Sequence, residues 1–413
     1  MSEQYTTTTT TSYGQRLGGS CKGIAGGFVM VLVAIALLVW NEHNAVQSHR
    51  SIDEAEKLCL SVPSIDVVST SNANKLIHVS GLVEPTGTPI ADDKFHVIPP
   101  QPALKLQRMV EMYQWTQDSS TKETKKAGGS TERETTYTYH KEWLSHVVDA
   151  SSFYYPGGHE NPGVMLFPQQ VFVASGATMG AFNVPPAVLN RINFYQRLSP
   201  ANYSTAFLPA ALRANYSVFV YQDAGYYFGN DPASPQIGDT RVTFTYVPQQ
   251  VVSVIAKQTG TSLTSYVTSN KRTMLLVESG TVSAEEMFLH ASKQVTLMAW
   301  FLRALGFVLL WMGLKAIVQP ISVAGDVLPL VGNIVEAGAD IVTFLLALMV
   351  STVIIALSWF VFRPWLSLGL LAVVGGASYF VWRCKREQKR AEPEVYVAPV
   401  DVEAYATEKT SLM

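Results

Sequence analysis

Cysteine is nearly absent. The 413 residues hold three, Cys21, Cys59 and Cys384, too few for a disulfide framework, so any large folded part must rest on an ordinary hydrophobic core. Catalytic signatures are missing as well. There is no Gly-x-Ser-x-Gly elbow, no phosphate-cradling Walker loop, no His-Glu-x-x-His and no Gly-x-Gly-x-x-Gly after a strand. The eight histidines, His43, His49, His78, His96, His140, His146, His159 and His290, are scattered without the paired spacing of metal ligands. These absences leave no catalytic, metal-ligating or cofactor-binding residue to name, and the chain reads as a non-enzyme without a cofactor.

What the chain does have is apolar length. Ile24 to Trp40, Ile341 to Phe362 and Leu366 to Trp382 contain no charge, and each meets the span requirement of roughly 17 to 25 apolar residues. A further stretch, Val295 to Val318, is interrupted by Arg303 and Lys315 near its ends. Arg363-Pro364-Trp365 alone separates the last two spans, which predicts a tight helical hairpin. The first stretch also resembles a cleaved signal peptide, but it is long for one and ends in Trp40-Asn41-Glu42 without a small-x-small site, so it is read as an uncleaved anchor.

Charge next to the spans sets the orientation. Arg16 and Lys22 precede the first span, Glu42, Asp53, Glu54 and Glu56 follow it, and Arg383, Lys385, Arg386, Lys389 and Arg390 follow the last. Four crossings with basic flanks at both ends put both termini in the cytosol. The predicted organisation is a disordered cytosolic start (1–23), a first span (24–40), a large lumenal α+β domain (41–294), a second span (295–318), a cytosolic-side interfacial or re-entrant loop (319–340), spans at 341–362 and 366–382, and a cytosolic tail (383–413).

Within that frame, the Thr run of Met1 to Gly14 lacks apolar periodicity and reads as disordered. Ser51-x-x-Glu54 and Ser283-x-x-Glu286 have capping-box spacing, so each predicts a helix start, the second running unbroken into the second span. Leu76 to Val79, Lys105 to Trp115, Tyr137 to Trp143, Arg241 to Tyr246, Val251 to Ala256 and Thr273 to Val277 read as strands. Ser119 to Glu134 reads as an exposed hairpin-like loop. The centre of Gly157 to Tyr227, around Pro186 to Leu198, is expected to be helical.

Several residues carry more than one reading. Arg303 is either a basic side chain snorkelling at a helix end or a functional intramembrane charge, and Lys315 shares its helix. Gly19, Gly23 and Gly27 lie four apart and would let another helix approach closely, which favours self-association, though glycine is common in spans anyway. Asn202-Tyr203-Ser204 and Asn215-Tyr216-Ser217 fit the glycosylation sequon, which has meaning in a secretory lumen. The basic run Arg383 to Arg390 serves as a topology determinant or as an anionic-lipid contact.

The order of segments and several local strings resemble the LUMA family, transmembrane protein 43. The strings are Trp40-Asn41-Glu42, Val110-Glu111-Met112-Tyr113-Gln114-Trp115, Gly158-His159-Glu160-Asn161-Pro162, Gly238-Asp239-Thr240-Arg241-Val242, Ser283-Ala284-Glu285-Glu286 and Phe362-Arg363-Pro364. The resemblance implies a four-span protein of the endoplasmic reticulum and inner nuclear membrane that self-associates and organises membrane protein complexes. Emerin-like or lamin partners carry over only where the source organism has them. The Thr-rich start and the acidic tail beyond Arg390 depart from the family pattern. The expected function is therefore a membrane scaffold contacting lipids and other membrane proteins, with no nucleic acid. A channel or transporter subunit using the hairpin and the Arg303 helix is the alternative, and a lipid-modifying enzyme is a third reading for which no nucleophile and base can be named.

Overall fold

The computed structural model describes residues 3–221, 225–326 and 329–362, with residue 383. The fourth apolar stretch, its Arg-Pro-Trp turn and the tail apart from Arg383 lie outside the described residues. Three described helices are long and apolar enough to cross a membrane. They are α1 (Tyr13–Leu58), α2 (Ala284–Gly325) and α3 (Pro329–Phe362). By spatial grouping the chain divides at Ile354, and only the end of α3 and residue 383 represent the second part.

α1 begins at a capping box in which the Ser12 hydroxyl accepts from Gln15 N–H and the Gln15 side chain accepts from Ser12 N–H. Between Gly27 and Leu58 there is no glycine or proline to stop it, so Ser51 does not start a new helix. Its hydroxyl instead donates to the Gln47 carbonyl one turn back at 3.0 Å, and Glu54 accepts from Ser269 N–H at 2.9 Å. The other predicted box is present: Ser283 Oγ accepts from Glu286 N–H at 3.2 Å, and α2 runs from there to Gly325 without interruption. The predicted loop 319–340 is thus mostly helix among the described residues, the end of α2 and the start of α3, with Asp326 capping α2.

The body holds two large sheets. Taking β1 (Glu3–Thr11), β2 (Leu76–Thr86), β3 (Ala103–Lys125), β4 (Thr131–Leu144), β5 (Gly176–Met179), β6 (Val218–Tyr221), β7 (Gly225–Phe228), β8 (Thr240–Pro248), β9 (Gln250–Thr259) and β10 (Leu276–Ser279), the first sheet has the order β1-β4-β3-β8-β7-β6. The second is built around β10-β9-β2-β5. Alternation in β8 buries Val242, Phe244 and Tyr246 with Leu106, Val110 and Phe95, as its period-two pattern requires. Val79, Val83, Val252 and Val254 fill the core of the second sheet. A third cluster, Ile52, Ala55, Met287 and Phe288 with Leu76 and Ile255, fastens the inner ends of α1 and α2 to that sheet.

Three further expectations need correction. The Thr run is strand β1, paired antiparallel with β4 from Glu3↔Tyr139 to Thr11↔Thr131. Threonine is β-branched and pairs well across strands, so the run needed a partner edge rather than an apolar period. Tyr5 then packs on Tyr155 and Tyr139 at centroid distances of 4.6 and 5.8 Å. The Ser119 to Glu134 loop is largely the outer part of β3 and β4, which pair to Lys125↔Thr131. The helix expected over Pro186 to Leu198 is only Pro186–Leu189. Lys105 Nζ donates to the Asn190 carbonyl at 3.1 Å and to Asn193 Oδ1 at 2.9 Å, holding that stretch in an irregular path where asparagines are poor helix formers.

Candidate functional site: the helix pair and its charged ends

α1 and α2 run antiparallel, and glycine sets how closely they approach. A Cβ built on Gly27 would lie 2.8 Å from the Gly313 carbonyl oxygen, and one on Gly313 would lie 2.9 Å from that of Gly27. Gly306 meets Leu38 in the same way, and Ala34, Leu310 and Ala347 close the core. A Cβ built on Gly19 or Gly23 would meet nothing within 4 Å. The predicted glycine face is therefore split: Gly27 is used within the chain, against α2, while the space beside Gly19 and Gly23 is open. Gly27→Ala should lower the unfolding free energy in detergent by about 1–3 kcal/mol through overpacking. Gly23→Ala should be neutral or stabilise by up to about 1 kcal/mol through helix propensity. Thermal unfolding of the two purified variants reads the contrast.

Arg303 is not reaching for headgroups. Its Nε and Nη2 donate to the two Glu42 carboxylate oxygens at 2.6 and 2.9 Å, and Glu42 is buried. Such a bidentate fork is the strong form of the ion pair. The Asn41 side-chain amide donates to the Ala299 carbonyl at 3.0 Å beside it, and the guanidinium lies 4.7 Å from the Trp300 ring centre. Trp40 and Trp300, 55 % and 63 % exposed, lie within one turn of Glu42 and Arg303 on their helices, and exposed tryptophans of this kind collect at the edge of the hydrocarbon. Lys315 pairs with Asp340 of α3 at 2.8 Å. In sequence Glu42 is only an acidic flank of the first span, and its partner emerges once the first two spans are aligned antiparallel.

The other end of the pair carries a clasp. Arg16 meets Asp326 at 2.6 Å and donates to the Gly129 carbonyl, also at 2.6 Å, while Lys125 meets Asp326 at 2.8 Å and Glu336 at 2.6 Å. The tip of the β3–β4 hairpin thereby touches the start of α1, the end of α2 and the start of α3. Burial pushes Asp326 up, but hydrogen bonds and charge from Lys125 and Arg16 outweigh it and hold the carboxyl below its ordinary value. Burial likewise lowers Lys125, and its two carboxylate partners more than reverse that. A depressed carboxyl stabilises above its unfolded value, near 3.9, and loses that contribution as pH falls through the folded one; a raised lysine stabilises below about 10.4. In the lipid-free protein the clasp should therefore persist through neutral pH and loosen on the acid side below about pH 4. Cleavage at the Lys125-Lys126 tip by an acid-tolerant protease, followed against pH, would show this.

The charge rule puts Lys125 across the bilayer from Arg16 and Asp326, yet here they touch. The outer edges of β1 and of β3 beyond Met112 have no strand partner among the described residues. In hydrocarbon each unpaired backbone group costs several kcal/mol, whereas ion pairs built on the buried Asp326 lose much of their attraction to desolvation. Unpaired ribbon edges are therefore incompatible with lipid on the side of the clasp.

The sequons differ in access. Asn215 is exposed at the end of the short helix Ala210–Asn215. Asn202 is partly covered in a 3-10 turn, and the next residue, Tyr203, is buried with its hydroxyl accepting from Phe244 N–H at 3.1 Å.

Membrane-length helices joined without a break to a sheet-rich α+β body define a multi-span membrane protein. Residues 112–364 match the family described as Transmembrane protein 43, and the chain belongs to that family. Similar relatives include Transmembrane protein 43 of Mus musculus, 30 % identical over 87 % of this chain and 90 % of that one. The Homo sapiens protein is 28 % identical over 92 % and 94 %. A Drosophila melanogaster homolog is 28 % identical over 86 % and 92 %. No solved structure matches.

Proposed function

We propose that this chain is a non-enzymatic multi-pass scaffold of the endoplasmic reticulum and inner nuclear membrane, organising membrane protein complexes and nuclear envelope structure. The observation that carries the reading is mechanical. α1 and α2 pass from the apolar zone into the body as single helices, and Ile52, Ala55, Met287 and Phe288 lock them to the second sheet, so the body cannot swivel relative to its anchor. A rigid mount of this kind suits the holding of partners at a fixed height above the bilayer. Proposed partners are lipids, further copies of the chain and resident membrane proteins, of emerin or lamin type where the organism has them. Arg303 and Lys315 are spent on internal pairs with Glu42 and Asp340, which favours a structural use of these charges over transport.

Both termini face the cytosol in this reading, with the body lumenal, so that in the bilayer the clasp is open and β1 is released from β4, a pairing then confined to the lipid-free protein. In a cysteine-free background, Thr7→Cys with Thr135→Cys, partners across β1 and β4, should not form a disulfide in sealed native membranes. Efficient crosslinking there would place the N-terminus beside the body and end this topology. Asn215→Gln should remove the main glycan-dependent mobility shift and Asn202→Gln should leave it in place. For the scaffold role itself, proximity labelling at the nuclear envelope should return reproducible protein neighbours, and an empty result would contradict it.

A further inference from the structure

Where α2 leaves the apolar zone, a cleft of about 570 Å³ opens between the helix and the body. Its floor is apolar: Met287 is buried, Ala291 and Leu276 are half-buried, and Leu297 at its lower lip is 70 % exposed. Positions 287, 291, 294 and 297 recur at helical spacing on one face of α2, so this floor continues down the helix toward the bilayer. Two cations stand at the cleft, Lys293 from α2 and Arg191 from the loop after the Pro186–Leu189 helix. Both are exposed, and neither has an ion-pair partner among the described residues. The carboxylate in the cleft, Glu278, is engaged by His290 Nδ1 at 3.0 Å, which leaves an excess of positive charge.

Height identifies the occupant. Lys293 lies seven residues before Trp300, about 10 Å up the helix at 1.5 Å per residue, and Trp300 with Trp40 marks the hydrocarbon edge. Headgroups fill about the next 5–8 Å of a bilayer, within reach of a lysine side chain. We infer that this cleft binds the headgroup of an anionic glycerophospholipid, its phosphate between Arg191 and Lys293 and its acyl chains descending past Leu297 along α2. The inference rests on α2 being a membrane helix and is independent of the scaffold reading and of which side the body faces.

The test uses the full chain, purified and delipidated in detergent, with dioctanoyl phosphatidic acid as the probe and native mass spectrometry as the readout. Phosphatidic acid should bind, dioctanoyl phosphatidylcholine should fail to displace it, and inorganic phosphate should compete poorly because it lacks the acyl contact. Arg191→Ala with Lys293→Ala should weaken binding at least tenfold, while Arg213→Ala, on the remote short helix, should not. Glu278→Gln should strengthen binding severalfold, a gain that misfolding cannot imitate. Equal binding of phosphatidylcholine, full competition by phosphate, wild-type affinity in the double variant, or no gain in Glu278→Gln would each overturn the assignment.

Discussion

Arg303→Ala should destabilise the helix pair by about 3–5 kcal/mol, because it strips the bidentate partner from a carboxylate that stays buried. The cost is one of desolvation more than of lost attraction. An exposed pair of the same chemistry would contribute about 0–1 kcal/mol, but Glu42 is 2 % exposed and pressed against α2. Removing both charges together tests this account. Glu42→Leu with Arg303→Leu leaves no stranded ion and should recover most of the loss, since well-packed apolar replacements of buried pairs are often neutral. Thermal unfolding of the three purified proteins in one detergent measures the difference. A double variant as unstable as the single would mean that the pair acts by some means other than mutual neutralisation.

The second large effect lies in the body. Arg108 is 2 % exposed, its Nη1 donates to Asp92 at 2.7 Å, its Nε to the Pro168 carbonyl at 3.0 Å and its Nη2 to Gln170 Oε1 at 3.0 Å, with the Phe95 ring 5.2 Å from its centre. Asp92→Ala should cost about 3–5 kcal/mol and lower the melting temperature on the order of 10 °C. Arg108→Met should cost less. An orphaned guanidinium cannot shed its proton in a protein, whereas an orphaned buried carboxyl takes one up as its pKa rises. The Met variant should therefore gain stability relative to the parent as pH is lowered from 8 to 5, and the Ala variant should show no such recovery. Melting curves across that range separate the two, and parallel pH profiles would refute the explanation.

Some of this architecture was readable from local pattern. The period-two alternation of Val242, Phe244 and Tyr246 placed a strand where β8 lies, and the Ser283-x-x-Glu286 spacing placed the start of α2 at the right residue. Other local signals misled because a stronger neighbour overrode them. Ser51-x-x-Glu54 has the same capping geometry in sequence, yet a helix already in progress with no breaker behind it leaves no free N–H groups for a cap to satisfy. The Thr run carries no local strand signal because its pairing draws on a partner edge more than a hundred residues away, as the Thr6–Thr136 hydroxyl contact at 3.1 Å shows. Ser12-x-x-Gln15 has capping-box spacing in the sequence and starts α1.

The sequence by itself determined that this is a membrane protein with a substantial α+β body, because the length and apolarity of a span and the pitch of a strand are properties of neighbouring residues. Only the tertiary structure decided what the charges do. Glu42 and Arg303 are separated by 261 positions, and Asp326 gathers Arg16 and Lys125 from both sides of the first span. A buried ion is tolerable solely through the particular partner that packing brings to it, and the register of two antiparallel helices or the reach of a hairpin is written in no local stretch of chain.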